Sequence, residues 1–190
     1  MSPAIKVNLR EVPYFEDIYN ALLKTRRLVD REKYRLRDFV IISTLALTGM
    51  RIGELLGLRK EDVDLERHVI VIKQLKKRKE KYRVIPVPVD WYWFYMGRYY
   101  ALVKSDRLFD LSARYVREII YKWSERFLGR RMRPHFFRHA YALYFLRKSK
   151  DLEALRRLLG HSDYRVLKEY LDYTQEDLEE VLEKILNLKW

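Results

Sequence analysis

From about residue 14 to 29, and again from 35 to 49, apolar residues return every three or four positions, the interval that lines one face of an α-helix. The second stretch, RLRDFVIISTLALTG, carries Phe39, Ile42, Leu45 and Leu47, and Gly49 stands where a helix would stop. After MRIGELLGL the period changes. HVIVIKQLKKRKEKYRVIPVP is β-branched, then densely charged, then β-branched again, which predicts strand, basic turn and strand. The first strand is expected to end near Gln74, and Pro86 and Pro88 to end the pairing. Helical spacing then resumes. In DWYWFYMGRYYALV, Asp90 is placed to cap a helix whose aromatic residues lie on most sides, as in a buried element rather than a platform for bases. LSARYVREIIYKWSERFLG predicts a helix capped at Ser112 and closed by Gly129, with Tyr115, Ile119 and Trp123 on one stripe and Arg114, Arg117 and Lys122 elsewhere. Four short helical segments follow, RPHFFRHAYALYFLRKS, DLEALRRLLGHS, DYRVLKEYLDYT and QEDLEEVLEKILNLKW. The last sets Leu178, Val181, Leu182 and Ile185 against a face of acids. The expected fold class is mainly α with a small antiparallel β-sheet.

At 190 residues the chain suits one domain with a real core, and 48% hydrophobic and 14% aromatic residues exclude wholesale disorder. No apolar run approaches the roughly 20 residues that span a bilayer, and MSPAIKVNLR lacks a signal-peptide core, so a soluble cytoplasmic protein is expected, with no membrane partner. Cysteine is absent, and the four histidines, 68, 135, 139 and 161, make no zinc set without carboxylates, so no metal site and no cofactor are expected. Three Asn and two Gln beside 35% charged residues lean toward a thermophilic source. Forty Lys and Arg against 27 Asp and Glu leave +13, a balance that favours a polyanionic partner, because each neutralised phosphate releases counterions. A solvated surface is the alternative that charge alone leaves open.

Cleaving a phosphodiester without metal calls for fixed cationic donors at the non-bridging oxygens, and the planar fork of arginine grips two at once. Arg51 follows a helix stop, and Arg138 lies three residues after His135, a spacing that sets both on one helical face. Singly, Arg51 also fits a surface charge beside Glu54, and His135 a cap after Pro134. The segment LLGHSDYRVLKEYLDYTQ adds His161 and three tyrosines, 164, 170 and 173. Tyr170 and Tyr173 are roughly 60° apart on a helix, so phase does not choose between them.

In order and interval, TGMRIGELLGLRKEDVD, RPHFFRHAYALYFL and LLGHS resemble the boxes of the tyrosine recombinases, the family of phage integrases, Xer and Cre proteins, over residues of about 35 to 175. The resemblance implies the recombinase catalytic-domain fold, with catalytic Arg51, His135, Arg138 and His161 and a supporting Glu54. It implies a tyrosine nucleophile nine residues beyond His161, hence Tyr170, with Tyr173 the alternative. It also implies a general-acid lysine on the hairpin, assigned to Lys76, with Lys77 next, from among Lys73, Lys76, Lys77, Lys79 and Lys81. Lys77, Arg114 and Arg117 are then DNA-binding candidates, a solvated face being the alternative for the two arginines. The implied activity is site-specific recombination of double-stranded DNA through a 3′-phosphotyrosine, without ATP or metal, in a nucleoid-associated enzyme. Self-association into a tetrameric synapse would use the C-terminal helix, about 176–190. Residues 1–190 are expected to form one catalytic domain, without the N-terminal core-binding domain usual in the family. A type IB topoisomerase-like nicking and closing activity and a non-catalytic DNA-binding regulator are the competing readings.

Overall fold

The computed structural model describes residues 11–76, 79–160 and 170, with side chains described outside 74–81. Helix α1 (Phe15–Asp30) buries Ile18, Ala21, Leu22, Thr25 and Val29, a single apolar stripe, while its other faces are charged. Helix α2 (Leu36–Thr48) is different: every residue from Phe39 to Thr48 is buried. Its two threonine hydroxyls bond inside the helix, Thr44 Oγ1 donating to the Val40 carbonyl at 2.7 Å and Thr48 Oγ1 to that of Thr44 at 2.6 Å. No buried oxygen of these two side chains is left to water. Gly49 then ends the helix in the left-handed region, φ 62°, with its amide on the Leu45 carbonyl.

The chain continues through the short helix α3 (Ile52–Gly57) and a 3₁₀ turn, Lys60–Asp62, into an antiparallel sheet of order β1 (Val63–Asp64), β2 (Val69–Lys76) and β3 (Lys79–Pro86). Ile70 and Ile72 on β2 and Ile85 on β3 face the core, whereas Tyr82 and Val84 are exposed. Strand β2 runs two residues past the end expected at Gln74, with Lys76 opposite Lys79. Pairing is made by backbone groups, so a run of charge does not stop a ladder whose partner continues. Lys76 therefore ends a strand instead of sitting in a turn. Strand β1 was not expected, since two residues carry no readable alternation.

Helix α4 (Asp90–Leu102) buries Tyr92, Trp93, Tyr95, Met96 and Tyr99, as its aromatic pattern predicts, leaving Phe94 and Leu102 exposed. Asp90 is its first residue and Val89 its cap, so Asp90 is not the capping residue. Helix α5 (Ala113–Leu128) begins where the Ser112 hydroxyl accepts the Tyr115 amide and ends at Gly129, φ 70°. Its buried stripe is Val116, Ile119, Ile120 and Trp123. Tyr115 stands off that stripe, 39% exposed, and its hydroxyl takes a hydrogen bond from Arg37 Nη2 at 3.1 Å. The Trp123 indole donates to Thr25 Oγ1 at 2.8 Å and ties α5 to α1. Helices α6 (His135–Ser149) and α7 (Leu152–Leu159) close the described fold, α7 capped by Asp151 and ended by Gly160 at φ 67°. Among the described residues no helix is long and apolar enough to cross a membrane.

Candidate active site

Arg51 lies two residues past the left-handed Gly49 that ends α2, and it caps α3. Its amide donates to Glu54 Oε2 at 2.8 Å while its Nη1 reaches Glu54 Oε1 at 3.2 Å. The helix start thus forces the Arg51 guanidinium and the Glu54 carboxylate together. The arginine side chain remains 43% exposed, whereas that of Glu54 is 16% exposed. Burial alone would push the Glu54 carboxyl up. The Arg83 guanidinium and the amide and guanidinium of Arg51 outweigh that and hold it below the usual carboxylate range.

Arg138 lies on α6 with its guanidinium turned inward, 5% exposed. Nη1 donates to the Gly49 carbonyl at 2.8 Å and Nη2 to the Leu159 carbonyl at 2.7 Å. Both acceptors are carbonyls at helix ends, where the helix dipole is negative. One cation thereby ties the end of α2 to the end of α7. Burial and the nearby charge of Arg51 push Arg138 down to about 10, which leaves it charged at neutral pH. His135, at the first position of α6, reaches solvent. Partial desolvation and the charges of Arg138, Arg51 and Arg117 hold its imidazole below the ordinary range.

Tyr170 is helical and 3% exposed, and its hydroxyl lies 2.7 Å from His139 Nδ1. The two rings sit 5.6 Å apart, and His139 is in turn 6.4 Å from the His135 ring. Burial, then the proximity of His135 and Arg138, pushes His139 down to about 4. It is therefore neutral at pH 7, and which ring nitrogen carries the proton decides whether Nδ1 donates to the hydroxyl or accepts from it. The structure thus gathers Arg51, Glu54, His135, Arg138 and Tyr170 around α6 and the ends of α2 and α7. Guanidinium charge held near a tyrosine hydroxyl suits chemistry on a phosphodiester.

Two members of this cluster, His139 and Arg83, were not singled out from the sequence. His139 is next to Arg138, a position that gives no hint of a partner 31 residues away. Arg83 had a readable sign: in YRVIPV it shares the inward alternation of Ile85 and Val87. Arg114 and Arg117 are exposed on the first turns of α5. The backbone of Lys76 ends β2. The Lys76 side chain, Lys77, His161, Tyr164, Tyr173 and the C-terminal segment 176–190 lie outside the described residues. Among the described residues no group of three or more His, Asp or Glu could hold a metal ion.

The sequence profile of the phage integrase family matches residues 15–177. The tyrosine recombinase XerA of Thermococcus onnurineus is 33% identical over 158 residues, covering 78% of this chain and 55% of the relative. XerA of Thermococcus kodakarensis is 34% identical over 160 residues, with 79% and 56% covered. The chain therefore spans a little over half the length of these relatives. Among solved structures, XerH site-specific recombinase bound to palindromic difH substrate, a post-cleavage complex, superposes with a TM-score of 0.71 at 22% identity, covering 92% of this chain and 54% of that one.

Proposed function

The chain belongs to the phage integrase family of tyrosine recombinases, and on that premise we propose that it carries the catalytic machinery of a site-specific DNA recombinase. Its substrate is double-stranded DNA, in keeping with a net charge of +13. The same charge would keep it with the nucleoid of a cytoplasm. The observation that carries the reading is the Tyr170 hydroxyl, held 2.7 Å from His139 on the helix that also bears His135 and Arg138.

In this reading Tyr170 is the nucleophile. Tyrosine has an ordinary pKa near 10, so the phenol attacks only as its proton leaves or its charge is stabilised. Arg51, Arg138, His135 and His161 supply the donors and the positive potential. The Tyr170 Oη–P bond forms, the P–O5′ bond breaks, and Lys76 gives a proton to the departing 5′ oxygen. The 3′-phosphotyrosine retains the bond energy, so a second strand end with a free 5′-hydroxyl reseals it by the reverse step. Glu54 orients Arg51 and takes no proton. Lys77, Arg114 and Arg117 bind DNA outside the cleaved phosphate. The recombinase relatives favour this over a nicking and closing enzyme or a silent regulator.

The test is incubation with a nicked suicide duplex and a search for an SDS-resistant protein–DNA complex. Tyr170→Phe abolishes it and Tyr173→Phe does not. An adduct that survives in Tyr170→Phe and vanishes in Tyr173→Phe moves the nucleophile.

Self-association on DNA follows from the same reading. An apolar groove of about 790 Å³, lined by Phe15, Tyr19, Tyr141, Phe145 and Leu158 with Lys148 at its rim, opens beside the end of α7. From a second copy, Leu178, Val181, Leu182 and Ile185 suit it by their apolar character, and the acids of the same segment complement the charge of Lys148. Deleting 176–190 should remove higher-order complexes on DNA while leaving single-site binding.

A further inference from the structure

Arg83 is an arginine at an inward position of a β-strand, 6% exposed, with its Nε lacking any hydrogen-bond partner. A guanidinium in that setting costs more than an apolar side chain of similar volume would. It is kept by two contacts. Nη2 meets Glu54 Oε2 at 3.0 Å, and Nη1 donates to the Leu159 carbonyl at 2.6 Å.

Each of those acceptors is already in use. Glu54 Oε2 also takes the Arg51 amide, and Oε1 of the same carboxylate takes Arg51 Nη1. The Leu159 carbonyl also takes Arg138 Nη2. A single side chain of β3 therefore touches the partner of Arg51 and a partner of Arg138, without being bonded to either arginine. The register sets Arg83 opposite Ile72, on the hairpin whose β2 strand ends at Lys76. Burial pushes the Arg83 guanidinium down, and the Glu54 charge opposes that.

We infer that Arg83 is a positioning residue for strand cleavage: by gripping Glu54 and the Leu159 carbonyl together, it sets Arg51 and Arg138, the two arginines that share those acceptors, in one geometry. The inference rests on the proposed function. Arg51 is long and partly exposed, so its direction is set by the carboxylate beside it, and that carboxylate is set by Arg83. A purely structural ion pair would show up in stability. A positioning residue shows up in the rate at saturating DNA, because small misplacements of a catalytic group cost rate without costing affinity.

The experiment compares the unchanged chain with Arg83→Lys, Arg83→Met, Glu54→Gln and the Arg83→Met/Glu54→Gln double variant. It measures the single-turnover rate of covalent adduct formation on a nicked suicide duplex with protein saturating, and the duplex Kd separately. Arg83→Lys keeps the charge but not the two-armed fork, and should slow adduct formation about 10-fold, with Arg83→Met about 100-fold slower, while Kd moves less than about 3-fold. The losses from Arg83→Met and Glu54→Gln should fall short of multiplying, since both act through one carboxylate. If circular dichroism finds Arg83→Met unfolded, Arg83→Lys decides. An unchanged rate in Arg83→Lys, fully multiplicative losses, or an effect confined to Kd overturns the inference. Should the unchanged chain form no adduct, the proposed function falls and the inference with it; an adduct formed at full rate by the Arg83 variants sinks the inference alone.

Discussion

His139 Nδ1 lies 2.7 Å from the Tyr170 hydroxyl, a contact that holds the tyrosine ring against α6. The imidazole is held down to about 4 by burial and by His135 and Arg138. An unfolded chain would protonate it near its ordinary value of about 6.5. Between those values the unfolded state binds the extra proton. Stability is therefore full above about pH 6.5 and declines as pH falls toward 4, by up to about 3 kcal/mol for this group. Urea midpoints at pH 7, 5.5 and 4 measure the slope, and His139→Gln should flatten it. An equal slope in the variant would place the acid sensitivity elsewhere.

Arg138 should matter to folding as well as to DNA. Arg138→Met leaves the Gly49 and Leu159 carbonyls without this donor and should lower stability by about 2–4 kcal/mol. Arg138→Lys should lose less, because an ammonium keeps the charge and one of the two bonds. Chemical denaturation with an unchanged m-value reads the difference. Neither variant is expected to form the covalent adduct at the normal rate.

Gly49→Ala is a small change at a costly position. The backbone there has φ 62°, and an added Cβ would come within 2.9 Å of Tyr141 Cδ1 and 3.2 Å of Leu159 Cδ2. The left-handed conformation costs about 1–2 kcal/mol for any L side chain, and the crowding adds to it. A thermal melt should fall accordingly. Because the Gly49 carbonyl receives Arg138, the adduct rate should fall too, even where the variant is fully folded.

Arg114 and Arg117 are separable by salt and sequence. If either contacts only phosphate, replacing it by Ala weakens binding evenly across duplex sequences and lowers the salt slope by about one counterion. If either meets a base edge, the loss is about 1–3 kcal/mol and confined to certain sequences. Binding isotherms at several salt concentrations distinguish the two. No change in affinity or slope would mean that both arginines belong to a solvated face.

Much of the fold was legible because local signals and burial agree. Gly49 and Gly129 end helices where the pattern ends, and the aromatic run of α4 is core. What the sequence concealed depends on tertiary meetings. The length of β2 is set by its partner strand, not by its own charge. Tyr115 has the spacing of a core residue but stands at the surface, bonded to Arg37, a partner 78 residues away. Arg51, Glu54, His135 and Arg138 could be named from ordered boxes. Arg83 could not, since its meaning lies in a carbonyl 76 residues downstream. The interval that picks Tyr170 is a matter of resemblance, and its contact with His139 came only with the fold.

Helix α2 has no solvent face from Phe39 to Thr48, so its amides cannot exchange with water by the local fraying that opens an amphipathic helix. Their exchange should be far slower than that of the one-sided helix α1. Arg51 stands three residues beyond that helix, and Arg138 is bonded to the carbonyl of the glycine that ends it. The cationic end of the site is thus moored to the end of a fully buried helical stretch, the kind of segment that opens least readily.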